Sequence, residues 1–191
     1  MPNYVWKTVY FEKPGPENTN ETLRLAKERA ESLSVKNIVV ASTTGATGVK
    51  ASEIFGEGYN LVVVTHVTGF REPNVQELTP ENRAILEERG VKIVTAAHSL
   101  SGIGRAVHKK FGSVQIDGVI AQVLRLFGQG MKVACEIACM AADAGFIRTD
   151  EDAISIGGTS RGADTAILLR PSNTHAFFDI KVKEIICKPR L

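Results

Sequence analysis

Long apolar runs, paired cysteines and a charge imbalance are all missing from this sequence. No stretch approaches the roughly 20 apolar residues that a bilayer span requires, and Met1 to Phe11 lacks the basic-then-apolar layout of a secretory signal. Only three cysteines occur, Cys135, Cys139 and Cys187. Three thiols cannot pair completely, so a disulfide framework is excluded and a reducing, cytoplasmic setting is expected. Lys plus Arg number 23 against 21 acids, a formal net charge of +2. That balance is too even for a dedicated nucleic-acid binder. Neither nucleic acid nor membrane is therefore expected as a partner, while a homo-oligomer is left open. Linkers, internal repeats and low-complexity segments are absent as well. One domain over residues 1–191 is the expectation.

What is present is an ordinary globular composition, 43% hydrophobic and 23% charged, enough for a real core. Strand-like and helix-like segments alternate. Tyr4 to Phe11 reads as an opening strand. Asn18-Thr19-Asn20 offers caps for a helix through Ser34, with Leu23, Ala26, Ala30 and Leu33 on one face. Asn37 to Ala41, Leu61 to Thr65 and Val91 to Thr95 are short continuous apolar runs, as expected of strands buried on both faces. A helix to about Phe55 follows the first run, and Thr79-Pro80 opens another that Gly90 ends. A mostly helical stretch spans Gly102 to Ala144, broken near Gly112 and at Gly128-Gln129-Gly130. Strands then follow at Ala153 to Gly157 and Ala166 to Arg170, and a long one at Phe177 to Cys187. This pattern predicts an α/β three-layer sandwich with a mostly parallel sheet, mixed at one edge.

Two polar loops carry the chemistry. Ser42-Thr43-Thr44-Gly45-Ala46-Thr47-Gly48 joins a buried strand to a helix. Such a joint presents unpaired backbone N–H groups and a partial positive charge. Gly45 and Gly48 would let the backbone approach a ligand, and the hydroxyls of Ser42, Thr43, Thr44 and Thr47 can donate further hydrogen bonds. A phosphate dianion can be held there without a cation. The loop is neither a Walker loop, which needs Gly-Lys-Ser/Thr, nor a Gly-x-Gly-x-x-Gly dinucleotide fingerprint. Ser42, Thr44, Gly45 and Thr47 instead resemble the hydroxyl-x-Thr-Gly-x-Thr phosphate loop of flavodoxins.

The second loop runs Gly157-Gly158-Thr159-Ser160-Arg161-Gly162-Ala163-Asp164. Arg161 can grip phosphate through two parallel hydrogen bonds, and Asp164 can accept from a sugar or ribityl hydroxyl. The same residues suit a hairpin turn with an Arg–Asp surface pair, and taken alone the two readings stand level. Smaller signals follow the third strand, where His66 can carry a proton and Phe70 can cover an aromatic ring. A solvated His and a packed Phe explain them equally well, and His98 has the same status. Lys132, Glu136 and Asp143 form a charged stripe on an otherwise buried helix. A thin solvent-facing stripe is the simpler account, and the alternative is that Lys132 and Glu136 line a pocket. Cys135 and Cys139 share a helical face, but no zinc spacing accompanies them, so no metal is expected.

The order of strand, Ser-Thr-Thr-Gly-Ala-Thr-Gly loop, helix and Leu-Val-Val-Val-Thr strand resembles the C-terminal α/β domain of pyruvate kinases. More closely, Tyr10 to Gly15, Met140 to Gly145 and the run from Gly157 to Pro171 resemble a group of stand-alone proteins with that fold. The resemblance implies a flavin mononucleotide (FMN) cofactor, its phosphate against Ser42–Gly48 and aided by Gly158 to Arg161. It extends by rim position to His66, Thr68, Phe70 and Lys132 near the flavin ring. Pyruvate kinase activity is not implied, because that chemistry sits in a separate barrel domain. The competing expectation is a regulatory module for a sugar phosphate or other phosphometabolite. A phosphatase or kinase ranks last, since the paired carboxylates or Mg²⁺ ligands it needs are not visible near either loop.

Overall fold

In the computed structural model, which describes residues 5–190, seven strands form one sheet. Strand β1 (Val9–Phe11) leads through a 3₁₀ turn into helix α1 (Thr19–Leu33). There follow β2 (Asn37–Ala41), α2 (Ala46–Phe55), β3 (Asn60–Val64), α3 (Pro80–Glu88) and β4 (Lys92–Val94). Three helices come next: α4 (Gly102–Phe111), α5 (Ile116–Arg125) and α6 (Gln129–Asp143). Strands β5 (Ala153–Gly157), β6 (Thr165–Arg170) and β7 (Lys181–Pro189) end the chain. The sheet order is β1-β7-β6-β5-β2-β3-β4. Only β6 is reversed, pairing antiparallel with both β5 and β7, so the mixed part lies toward the β1 edge.

Burial explains the strands. Ile38, Val39, Val40, Val62, Val63, Ile154 and Ile156 are fully buried because helices cover both faces of the sheet. Helices α1 and α2 lie on one face, where Leu23, Ala26, Ala30 and Phe55 meet Ile38, Val40, Ile154 and Ile156. Helix α6 covers the other, with Ala134, Ala138 and Ala141 against Val39, Val62 and Ile167. Small side chains on α6 let it approach closely. Gly157 on β5 does the same from below, since a Cβ there would lie 2.5 Å from the Gly130 carbonyl oxygen.

Most expected elements appear, with three corrections. The opening strand is shorter, Val9–Phe11, and Tyr4 lies outside the described residues. The run Val91–Thr95 forms a strand only over Lys92–Val94, at the sheet edge with Lys92 exposed, not buried on both faces. The last strand starts at Lys181 rather than Phe177, because Thr174–Asp179 is a 3₁₀ turn. Asp143 on α6 accepts from the backbone N–H and hydroxyl of Thr174 and from Asn173, which pins that turn before extended structure can begin. Phe178 is consequently left 79% exposed.

Candidate functional site

Strands β5, β2, β3 and β4 are adjacent and parallel, so their following loops emerge along one edge of the sheet. Ligands of such sheets bind outside the carboxyl ends of the strands. A cleft of about 410 Å³ opens there, within the size range of small-molecule sites.

One wall is the loop between β2 and α2. Ser42 Oγ accepts the Gly48 N–H at 3.0 Å and Ser42 N–H donates to the Val64 carbonyl, which fixes the loop from both ends. Gly45 has φ +94°, a left-handed conformation that favours glycine. Among the described residues, nothing accepts from the backbone N–H of Thr43, Thr44, Gly45, Ala46 or Thr47. Five amides thus gather at a helix N-terminus with no protein partner, beside the hydroxyls of Thr43, Thr44 and Thr47 on the cleft. The loop backbone is held rigid from outside: the Thr44 carbonyl accepts from Thr79 N–H and from Asn82 Nδ2.

The second wall is aromatic. His66 and Phe70 stack with ring centroids 4.1 Å apart, His98 lies 5.1 Å from Phe70, and the Arg105 guanidinium sits 4.6 Å over the Phe70 ring. Glu77 Oε2 is 2.7 Å from His66 Nδ1, and Arg71 pairs with the same carboxylate. An ionised carboxylate only accepts, so Nδ1 carries the proton. The other ring nitrogen, Nε2, lies 3.4 Å from the Thr43 hydroxyl. The chain hydroxyl–imidazole–carboxylate can move a proton to or from a ligand in the cleft. Burial holds the His98 imidazole below the ordinary histidine range against the opposing pull of Glu136, and its Nε2 accepts from Val67 N–H.

The floor is the N-terminal half of α6. Lys132 and Glu136, one helical turn apart, form a 2.5 Å ion pair with each residue at most 5% exposed. They line the cleft instead of making a solvent-facing stripe. Burial pulls the Lys132 ammonium below the ordinary lysine range, and the Glu136 carboxylate opposes that pull. Glu136 also takes the Leu100 N–H at 3.0 Å, which ties the loop after β4 to the helix. Arg105 and Arg125 reach the same end of the cleft from α4 and α5.

Ten of the expected site residues meet at this cleft: Ser42, Thr43, Thr44, Thr47, His66, Phe70, Lys132, Gly158, Ser160 and Arg161. The others do not line it. Gly45 and Gly48 make room for protein, not ligand, since Cβ atoms there would lie 2.5 Å from Asn82 Cβ and 2.8 Å from Val63. Gly157 is the contact with α6 described above. The segment Gly158–Asp164 is the turn of the β5–β6 hairpin, and it reaches the cleft as well. Asp164 is fully buried and accepts from Gly15 N–H, Thr159 N–H and the Thr165 hydroxyl. Its oxygens brace the hairpin and are not offered to a ligand, and Thr159 is held in the same brace. Thr68 is exposed and accepts from Gln76 rather than lining the cleft. Sequence reasoning missed Glu77, Arg105 and Arg125. Nothing in their local patterns marks them, because each arrives from a different loop or helix.

The fold and site define a class: a three-layer α/β domain with a hydroxyl-rich loop and a cleft at the carboxyl edge of its sheet. Within it the chain belongs to the family described as pyruvate kinase, alpha/beta domain, whose model matches residues 20–169. Two solved structures of pyruvate kinase from Cryptosporidium parvum are similar to it. One shares 17% identity over 78% of this chain and 22% of that one, with a TM-score of 0.40. The other shares 17% over 84% and 23%, with a TM-score of 0.39. The chain thus spans under a quarter of the length of those enzymes.

Proposed function

We propose that this protein binds a phosphorylated aromatic cofactor, flavin mononucleotide, with its phosphoryl group on the amides of residues 43–47. The observation that carries the reading is that row of five partnerless N–H groups at a helix N-terminus, beside threonine hydroxyls and aromatic rings that line the same cleft. A dianion there meets donors and a helix dipole already oriented, so little is lost in ordering them. Phe70 and His66 line the cleft as an aromatic wall, and Lys132 with Arg105 would stabilise the negative charge that a flavin ring gains on reduction. Bound flavin supplies reversible electron transfer. The chain itself binds and orients, and His66, held by Glu77 through Nδ1, can exchange a proton with the ligand at Nε2.

The test is titration of the purified protein with FMN, followed by the visible flavin band and quenching of flavin fluorescence. Thr44→Val and Thr47→Val each remove one hydroxyl donor to an anion. At about 1.5–3 kcal/mol per charged hydrogen bond, each is expected to weaken binding by roughly 10- to 100-fold with far-UV circular dichroism unchanged. Colourless protein that takes up no flavin, or variants that bind as tightly as the parent, would overturn the reading.

A second reading, a regulatory site for a phosphometabolite, is favoured by Arg105 and Arg125, which line the same cleft as the loop. A ligand with a second anionic group could engage both the loop and these arginines.

A further inference from the structure

Lys132 stands where two cavities meet. Beside the cleft, a second cavity of about 250 Å³ opens between α4, α5 and the start of α6, and Lys132, Arg105 and Arg125 line both. Leu100, Ser101 and Gln122 bound the smaller space, which has room for a small metabolite. Among the described residues, neither arginine pairs with a carboxylate. Arg125 Nε donates to Gln129 Oε1 at 2.6 Å, and the Arg105 guanidinium lies over the Phe70 ring. Both guanidiniums thus keep donors for an anion in the cavity they share with Lys132. As a device for stability alone the Lys132–Glu136 pair is a poor one, because burying two charges costs about what their attraction returns.

We propose that Lys132 is an amine nucleophile for a small oxo acid, whose carbonyl carbon meets Nζ while its carboxylate rests on Arg105 and Arg125. A lysine acts this way where desolvation or a neighbouring cation disfavours its ammonium form. Burial does so here against the pull of Glu136, and Arg125 and Arg105 add to the effect. His98 completes the set of titratable groups around the pair. Glu136 Oε2, 2.5 Å from Nζ, is placed to take the ammonium proton. The freed amine adds to the carbonyl carbon as the C=O π pair moves to oxygen, and a proton passes from nitrogen to that oxygen. Glu136 then returns its proton to the hydroxyl, which leaves as water. The product is an iminium, formed without any oxidant or reductant, and it keeps the positive charge that Glu136 pairs with. Arginine forks match a carboxylate through two parallel hydrogen bonds, which selects an oxo acid over a neutral aldehyde.

The experiment is reductive trapping on the native chain, and it needs no flavin, so a failure to bind FMN leaves it intact. Protein is incubated with glyoxylate and cyanoborohydride, which reduces an iminium to a stable amine, and labelled peptides are located by mass spectrometry. One carboxymethyl group is expected on Lys132 before the exposed Lys109 and Lys110 react. Propionaldehyde, which carries no anion, is the comparison. Its preference for Lys132 over those two lysines should be roughly 10-fold smaller, the equivalent of one charged hydrogen bond. Arg105→Gln with Arg125→Gln should reduce the glyoxylate preference to the propionaldehyde value. Lys132→Met with Glu136→Met should show no preferred site, with an unchanged circular dichroism spectrum. Exposed lysines that label first overturn the proposal, since a pair that merely braces α6 gives that result. So does a glyoxylate preference that survives loss of both arginines, or one that propionaldehyde equals.

Discussion

Lys132 and Glu136 illustrate how burial changes the meaning of a residue pair. On an exposed helix, a Lys and a Glu four apart contribute a few tenths of a kcal/mol. Here both are at most 5% exposed, and Glu136 additionally receives Leu100 N–H. Lys132→Met leaves a buried carboxylate without its cation, so a loss of about 3–5 kcal/mol is expected in urea unfolding. Lys132→Met with Glu136→Met should recover much of that loss, since the uncompensated charge is gone. His98 gives a pH signature. Its folded-state affinity for protons is depressed, chiefly by burial. As pH falls below about 6.5, the unfolded chain takes up a proton that native His98 resists, so stability falls with pH. Above that window both states are neutral and the contribution vanishes. His98→Asn is expected to flatten the slope, measured as denaturation midpoints from pH 7.5 down to pH 5.5. The sequence marked Thr43, Thr44, Thr47 and His66 by type and position. It left Glu77 invisible, because that residue lies eleven positions beyond His66 and meets it only when the loop after β3 folds back.

At the scale of elements, close approach decides the architecture. Helix α6 sits low on the sheet because Gly157 has no side chain and Ser155 Oγ donates to the Ala134 carbonyl at 2.7 Å. Gly157→Ala would set a methyl group 2.5 Å from the Gly130 carbonyl oxygen and 3.0 Å from the Ala134 nitrogen, both backbone atoms that a rotamer change cannot relieve. A loss of about 1–3 kcal/mol is expected from overpacking, read as a lower Tm, and the cleft floor should shift with the helix. The apolar runs at β2, β3 and β5 and the Thr79-Pro80 helix start were readable because local propensity and burial agree there. Thr174–Asp179 was misread because its structure comes from outside, through the Asp143 carboxylate on α6.

At the scale of the whole molecule, a ligand that binds only the folded chain stabilises all of it. At a hundredfold excess over its dissociation constant, FMN should add about 2.7 kcal/mol, seen as a rise in Tm that sugar phosphates do not reproduce. The opposite ranking would favour the phosphometabolite reading. Local pattern by itself determined most of the strands and helices and the hydroxyl-rich, glycine-marked loop before α2, since these follow from side-chain periodicity, capping and glycine placement within a few residues. Tertiary structure alone decided the strand order, the reversal at β6, the meeting of Arg105, Arg125 and Lys132 around one cleft and the pairing of Glu77 with His66. Those outcomes depend on contacts between residues far apart in the chain, and side-chain type does not encode which distant surface a group will face.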